Sequence, residues 1–343
     1  MQAIVNPLLQ WYATAKRDLP WRHSPTPYGV WVSEIMLQQT RVSAVVAYYN
    51  RFMQTLPTVA DLAAASPDLL HKLWEGLGYY SRVANLQRAA KQIMADHGGE
   101  LPRTVEGLLS LAGIGDYTAG AIASIAYGLP TPAVDGNVLR VVARLTGDRT
   151  DVLTPVARTH AVELLSPIIP RDEASAFTQA MFELGALICL PRHPDCAACP
   201  LREQCYANLS NAVDELPVRV VKTKRREVDV TVLVLSTPSG YVLTAPRAKG
   251  LLAGLYGLPY VEAALPPEDV PAACAEWGVF ATHVTPLSSA KHVFTHVTWR
   301  LSGYLVSCAV DALTEGTLIA TADEVRDRYA IPTAFAAYRP YIQ

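Results

Sequence analysis

Apolar residues recur at helical spacing through most of the first 190 positions, and that rhythm sets the expected elements. Ala44–Leu56, Pro67–Leu77, Arg82–His97, Val105–Leu111, Tyr117–Tyr127, Asn137–Thr146 and Ala174–Ile188 each read as amphipathic helices. Turn signals such as Asp96-His97-Gly98-Gly99 and Asp148-Arg149-Thr150 separate several of them. From Val228 the texture changes. Val228–Ser236, a turn at Pro238-Ser239-Gly240 and Tyr241–Ala245 predict a β-hairpin, and Val293–Ser307 alternates as a strand. A short helix is expected near Ala322–Arg328. The fold class is therefore multidomain: an all-α domain over residues 1–206, a linker over 207–227 with Pro217, and a smaller α/β domain over 228–343.

A chain of 343 residues is long enough for two separate cores. A net charge of -2 does not announce a nucleic-acid ligand, but charge is unevenly placed. Arg219, Lys222, Lys224, Arg225 and Arg226 fall together with no acid among them. The N-terminus lacks a basic region followed by a long apolar run, so no signal peptide is expected. No apolar stretch reaches the roughly 18 residues of a membrane span. These features predict a cytoplasmic protein without membrane attachment. Four of the six cysteines crowd into seventeen positions, which in a reducing compartment points to metal ligation.

Those four, Cys189, Cys196, Cys199 and Cys205, form C-x6-C-x2-C-x5-C. Such thiolates hold either zinc or an iron–sulfur cluster, and spacing alone does not separate the two. Arg192 and His193 fall inside the first cysteine loop. Upstream, Leu111-Ala112-Gly113-Ile114-Gly115-Asp116-Tyr117-Thr118-Ala119-Gly120 joins two predicted helices by a Gly-x-Gly turn. Gly113 and Gly115 permit a positive φ and close approach of another chain, and amides opening the next helix suit a phosphate. A plain helical hairpin fits this stretch equally well.

Two carboxylates have contrasting surroundings. On a helix, Glu34 has Val30, Trp31, Leu37 and Gln38 as neighbours. So enclosed, its carboxyl is expected to titrate high and to serve as a general acid. Asp135 precedes the apolar-periodic run Val138-Val141-Val142-Leu145, where it reads as an N-cap. Capping is expected to keep that carboxylate ionised. A neutral acid beside a fixed anion is the pair that glycosidic cleavage requires.

Trp31-Val32-Ser33-Glu34-Ile35-Met36-Leu37-Gln38-Gln39-Thr40 and Val134-Asp135-Gly136-Asn137-Val138 resemble signatures of the MutY-type adenine DNA glycosylases. The glycine hairpin and the cysteine pattern are similar to those of the wider endonuclease III, or helix-hairpin-helix, superfamily. The resemblance runs from Leu19 to about Tyr304. It implies a helix-hairpin-helix near 105–127, a [4Fe-4S] cluster in the 189–205 loop, and a Nudix-like domain around Gly250–Pro259. By the same resemblance Glu34 protonates adenine at N7, while Asp135, with Asn137 in its segment, stabilises an oxocarbenium-like sugar. Arg22, Trp21 and Gln179 line the adenine pocket. Gln39, Thr40, Leu77 and Tyr79 enter or contact the base stack, and Thr40 meets the opposing 8-oxoguanine.

Tyr117 stands where bifunctional relatives carry a lysine that forms a Schiff base, and its hydroxyl is expected near Asp135. This implies a monofunctional enzyme. Phe294-Thr295-His296 stands where many family members have Phe-Ser-His, a loop that reads 8-oxoguanine. The implied partner is double-stranded DNA with adenine opposite 8-oxoguanine or guanine, bound by a monomer; any downstream repair proteins are not readable from the sequence. The rivals are a thymine or oxidised-pyrimidine mismatch glycosylase and a non-catalytic DNA-damage binding protein. A Nudix nucleotide hydrolase is disfavoured, because Pro271–Gly278 offers only Glu276 where a magnesium-binding helix needs several glutamates.

Overall fold

Proline at the first helical turn and a hydroxyl before it start many of this protein's helices. In the computed structural model, which describes residues 1–220, 225–247, 250–310 and 312–343, Thr26, Ser66, Thr104 and Thr154 each accept a hydrogen bond from an amide three residues on. The helices are α1 (Val5–Ala15), α2 (Pro20–His23), α3 (Pro27–Leu37), α4 (Val42–Thr55), α5 (Val59–Ala64), α6 (Pro67–Trp74) and α7 (Ser81–Asp96). They continue with α8 (Val105–Leu109), α9 (Asp116–Ala121), α10 (Gly136–Thr146), α11 (Pro155–Leu165), α12 (Ala174–Leu187) and α13 (Tyr206–Leu209). The helix expected over Tyr117–Tyr127 changes character: α9 runs into a wider, π-helical stretch at Ile122–Ala126.

By their contacts the residues divide into two units, Met1–Ala64 with Ala84–Val221, and Ala65–Val83 with Lys222–Gln343. In the first, α1, α10, α11 and α12 enclose a core of Leu8, Val138, Val142, Leu165, Phe177 and Leu184. The periodic reading had not singled out α1 or α11. Lys222 and Lys224 of the basic run lie outside the described residues.

The second unit holds a mixed sheet of β1 (Arg226–Thr237), β2 (Gly240–Thr244), β3 (Tyr260–Val261), β4 (Val279–Val293), β5 (Val297–Val310) and β6 (Thr317–Ala320). Its order is β4-β5-β1-β2-β6, with β3 also paired to β1. β1 and β5 run parallel and the other pairs antiparallel. On β1, Val230, Val232 and Val234 face a core with Trp299, Phe335 and Tyr338. The alternate residues Leu233 and Leu235 face another core with Val270, Trp277 and Val306. A strand covered on both faces has to read as a continuous apolar run, as β1 does. α14 (Val270–Cys274) contributes to the latter core and α15 (Ala322–Asp327) to the former.

Val293–Ser307 is not one strand. β4 ends at Val293, the chain reverses through Phe294-Thr295-His296, and Phe294 N donates to Val297 O at 2.8 Å. Alternation at period two carries on through a short reversal, so the pattern alone did not mark it. β4 escaped notice because it is a sheet edge with mostly exposed, polar positions. Ala65–Val83, which includes the helix expected over Pro67–Leu77, groups with this second unit: Lys72 Nζ donates to Tyr329 O at 3.4 Å, and Glu75 accepts from Ile331 N at 3.0 Å. Among the described residues no helix is long and apolar enough to cross a membrane.

Candidate active site

α3 is buried along nearly its whole length, from Tyr28 to Met36, and carries Glu34 inside the first unit with only 4% of its surface exposed. The Tyr117 hydroxyl, from the start of α9, donates to its carboxylate. Burial pushes the Glu34 carboxyl from 4.5 up to about 7, and the charge of Asp135 adds to the rise. The Tyr117 hydrogen bond and the Arg22 charge pull the other way. Burial, with the nearby carboxylates, also raises the Tyr117 phenol well above its ordinary value, so it stays a donor. The sequence had suggested a partner near Asp135 for this hydroxyl; Glu34 receives it, because the phenol of α9 meets the carboxyl of α3.

Asp135 caps α10. Its Oδ1 accepts from Val138 N at 2.7 Å and its Oδ2 from Asn137 Nδ2 at 2.9 Å. Capping pulls this carboxyl toward its charged form, as expected, against an opposing effect of burial. Burial raises it, and the Val138 and Asn137 hydrogen bonds and the Arg140 charge offset that only in part. Asn137 is itself fixed, since its Oδ1 accepts from Arg140 Nη2 at 2.9 Å. Arg140 then reaches the carbonyls of Gly185 and Cys189, both at 2.8 Å. Gly185 permits this closeness: a Cβ there would lie 2.7 Å from the Cβ of Asn137.

Glu34, Asp135, Tyr117 and Asn137 line one cavity of about 740 Å³, together with Trp21, Arg22, Gln179, Gln39 and Thr40. Trp21 packs edge-on against Tyr49, and Gln179 Nε2 donates to Ser175 Oγ at 3.2 Å. Gln39, just past α3, has a φ of 58°. Sequence reasoning missed Glu183, which is fully buried at the cavity wall. Burial alone would raise its carboxyl, but hydrogen bonds from Arg17 and Arg22 outweigh that and bring it to about 2. Glu183 thereby orients Arg22. An acid inside the apolar helix run Ala180-Met181-Phe182-Glu183-Leu184-Gly185 was the signal available.

The remaining residues fall elsewhere. In the second unit, Leu77, Tyr79, Phe294, Thr295 and His296 line a cavity of about 580 Å³ with Leu252. The Tyr79 and Thr295 hydroxyls are 3.1 Å apart, and the Arg82 guanidinium lies 5.6 Å from the Tyr79 ring centre. Of the two hairpin glycines, only Gly113 is left-handed, with φ 76°. Gly115 has φ -102° and caps α9; no atom stands within 4 Å of where its Cβ would be, so its lack of a side chain leaves the approach to the helix open.

Cys189, Cys196, Cys199 and Cys205 are unpaired and line one small cavity with Arg144, which donates to Cys189 Sγ at 3.3 Å. Among the described residues no three His, Cys, Asp or Glu are placed to hold a metal ion. The donor set is nonetheless thiol-only and gathered about one space, with a guanidinium suited to thiolate charge. His193 in this loop has φ 49°.

The first unit is of the class described by the HhH-GPD superfamily base excision DNA repair protein model, which matches residues 32–167; a NUDIX domain model matches 231–339. A human adenine DNA glycosylase is 35% identical over 376 residues, covering 91% of this chain and 68% of that protein. The Schizosaccharomyces pombe adenine DNA glycosylase is 36% identical over 319 residues, 74% of this chain and 68% of its own length. A mouse counterpart is 46% identical over 209 residues, 58% of this chain, although the match spans just 41% of that relative. Among solved structures, a thermostable thymine-DNA glycosylase superposes with a TM-score of 0.56 and 27% identity, covering 61% of this chain and 96% of its own. An endonuclease III in a non-covalent DNA complex gives 0.52 and 26%, covering 61% and 95%. The chain belongs to the adenine DNA glycosylase family.

Proposed function

We propose that this protein hydrolyses the N-glycosidic bond of adenine paired with 8-oxoguanine or guanine in duplex DNA, and does so without cleaving the strand. The observation that carries the reading is the pair Glu34 and Asp135 in one cavity, the first an acid titrating near neutrality and the second an N-cap beside it.

Adenine inside a duplex is out of reach, so the nucleotide is extruded into the cavity of the first unit. Glu34, protonated near pH 7, gives its proton to N7 and turns the base into a leaving group. Tyr117 holds the carboxyl in place and accepts no role as a nucleophile; with no lysine at this position there is no Schiff base and no strand break. The Asp135 carboxylate stabilises the positive charge developing on the sugar, and its two hydrogen bonds keep it aimed. Glu34, now ionised, activates the water that completes hydrolysis. Trp21, Arg22 and Gln179 hold the base, Gln39 and Thr40 fill the stack, and the Tyr79–Thr295 pair with Leu77, Phe294 and His296 reads the opposing 8-oxoguanine.

The Gly113–Gly115 turn presents amides to the DNA backbone. Cys189, Cys196, Cys199 and Cys205 would hold a [4Fe-4S] cluster, whose contribution is to tie the loop together around a fixed charge. Pyrophosphate hydrolysis by the second unit is disfavoured by the lone, exposed Glu276.

The test is single-turnover adenine release from a duplex bearing adenine opposite 8-oxoguanine. Release by the wild type, strand breaks only after alkali, and loss of release in Glu34→Gln support the reading. Folded wild type that binds this duplex yet releases nothing overturns it in favour of a silent damage binder. Preferential release of thymine would point to the mismatch-glycosylase alternative.

A further inference from the structure

Arg17, Arg22, Arg41 and Arg158 all line the active-site cavity, but they are not equivalent. Arg17 and Arg22 both pair with the one buried carboxylate of Glu183, at 2.8 and 2.9 Å. Arg41, exposed at the N-cap of α4, directly follows Gln39 and Thr40 and makes no ion pair among the described residues. Arg158, on α11, is half-buried; its Nη1 donates to the carbonyl of Val134, the residue before Asp135, and no acid among the described residues faces it. The cavity therefore has an inner pair of guanidiniums already spent on a protein anion and an outer pair with unused donors.

A free guanidinium fork at the wall of a pocket fits a tetrahedral phosphodiester, which accepts two of its N–H groups at once. The net charge of -2 makes such local cations the means by which a polyanion is held. We infer that Arg41 and Arg158 grip the phosphodiesters flanking the nucleotide extruded into this cavity. The inference rests on the proposed function. Neither residue was reached from the sequence, because a lone arginine after a turn or on a helix carries no motif.

The experiment measures binding of the full chain to a duplex with non-hydrolysable 2′-fluoro-2′-deoxyadenosine opposite 8-oxoguanine, between 50 and 200 mM salt. Removing one guanidinium–phosphate pairing lowers the slope of log K against log salt by about 0.9. Arg41→Gln and Arg158→Gln are each expected to show that drop, and the double variant about 1.8. Equivalently, the advantage of wild type over either single variant shrinks about 3.5-fold across this range. Lysine at either position restores the slope. On an undamaged duplex, where no nucleotide is extruded, the variants and wild type keep equal slopes.

Unchanged slopes on the lesion duplex overturn the inference, as does an equal drop on undamaged DNA. A merely structural role for Arg158, through Val134, would alter the excision rate at saturating enzyme and leave the salt slope alone; that result also overturns it. Adenine release by the wild type is measured in parallel. Its absence strikes the proposed function, whereas slope changes report on the two arginines.

Discussion

Glu34, Tyr117, Asp135 and Asn137 of the first cavity come from helices and helix caps, whereas Tyr79, Thr295 and His296 of the second come from turns. Glu34 sits within a helix buried on every side, and Asp135 is held by the amides it caps. Tyr79 is 47% exposed with φ 47°, and Leu252 beside it has φ 65°. Left-handed backbone at such residues is costly, of order 1 kcal/mol or more, and persists where the surroundings impose it. The difference fits the roles proposed for them: setting a carboxyl near neutrality needs burial that does not fluctuate, while contact with DNA needs side chains held outward. Gln39 obeys the same rule inside the first cavity: it lies past the end of α3, at the one place where the wall turns left-handed.

The contrast is broken most decisively by removing the acid. Glu34→Gln is expected to lower single-turnover adenine release by about 10²–10⁴-fold. The same variant should resist a pH-dependent loss of stability. Because the folded Glu34 value, about 7, lies above the ordinary 4.5, its contribution is full below about pH 4.5 and is lost as pH rises through 7. That amounts to about 3 kcal/mol, read as urea denaturation of wild type and variant at pH 5 and pH 8. Next in size, Glu183→Gln strands Arg17 and Arg22 against an apolar wall and should cost about 3 kcal/mol of stability at pH 7. An unchanged denaturation midpoint would mean that the pair is no anchor.

Tyr117→Phe sharpens the comparison. Its hydrogen bond lowers the Glu34 value, so its removal should move the alkaline fall of the pH–rate profile to higher pH. A shift to lower pH would show that Tyr117 stabilises the protonated acid instead. The smallest effect belongs to the second cavity. Tyr79→Phe deletes one exposed hydroxyl contact with Thr295, worth about 1 kcal/mol, and should reduce the preference for 8-oxoguanine over guanine by about 5-fold. A loss as large as that of Glu34→Gln would erase the distinction between the two regions.

The helical half and β1 were legible because their periodicities are strong and their burial is one- or two-sided. Glu34 was legible because its flanks are apolar, and Asp135 because a cap precedes an amphipathic run. Glu183 was not, since only the folded chain brings Arg17 and Arg22 from more than 150 positions away. The rise of the Asp135 carboxyl escaped for a related reason: capping is local and readable, whereas the burial that opposes it is tertiary. The reversal at Phe294–His296 was hidden because strand alternation does not register direction.

The π-helical stretch after α9 has a consequence in phase. Tyr117 and Ile125, eight residues apart, both line the active-site cavity. Eight residues of ordinary α-helix would leave their side chains roughly 80° out of line. The wider turn over Ile122–Ala126 takes up part of that angle, so both side chains face the cavity. A chain one residue shorter here would close this stretch into ordinary α-helix, and the two side chains, then seven positions apart, would stay within about 20° of one line; the wider turn thus fits one extra residue into the wall without turning either side chain away.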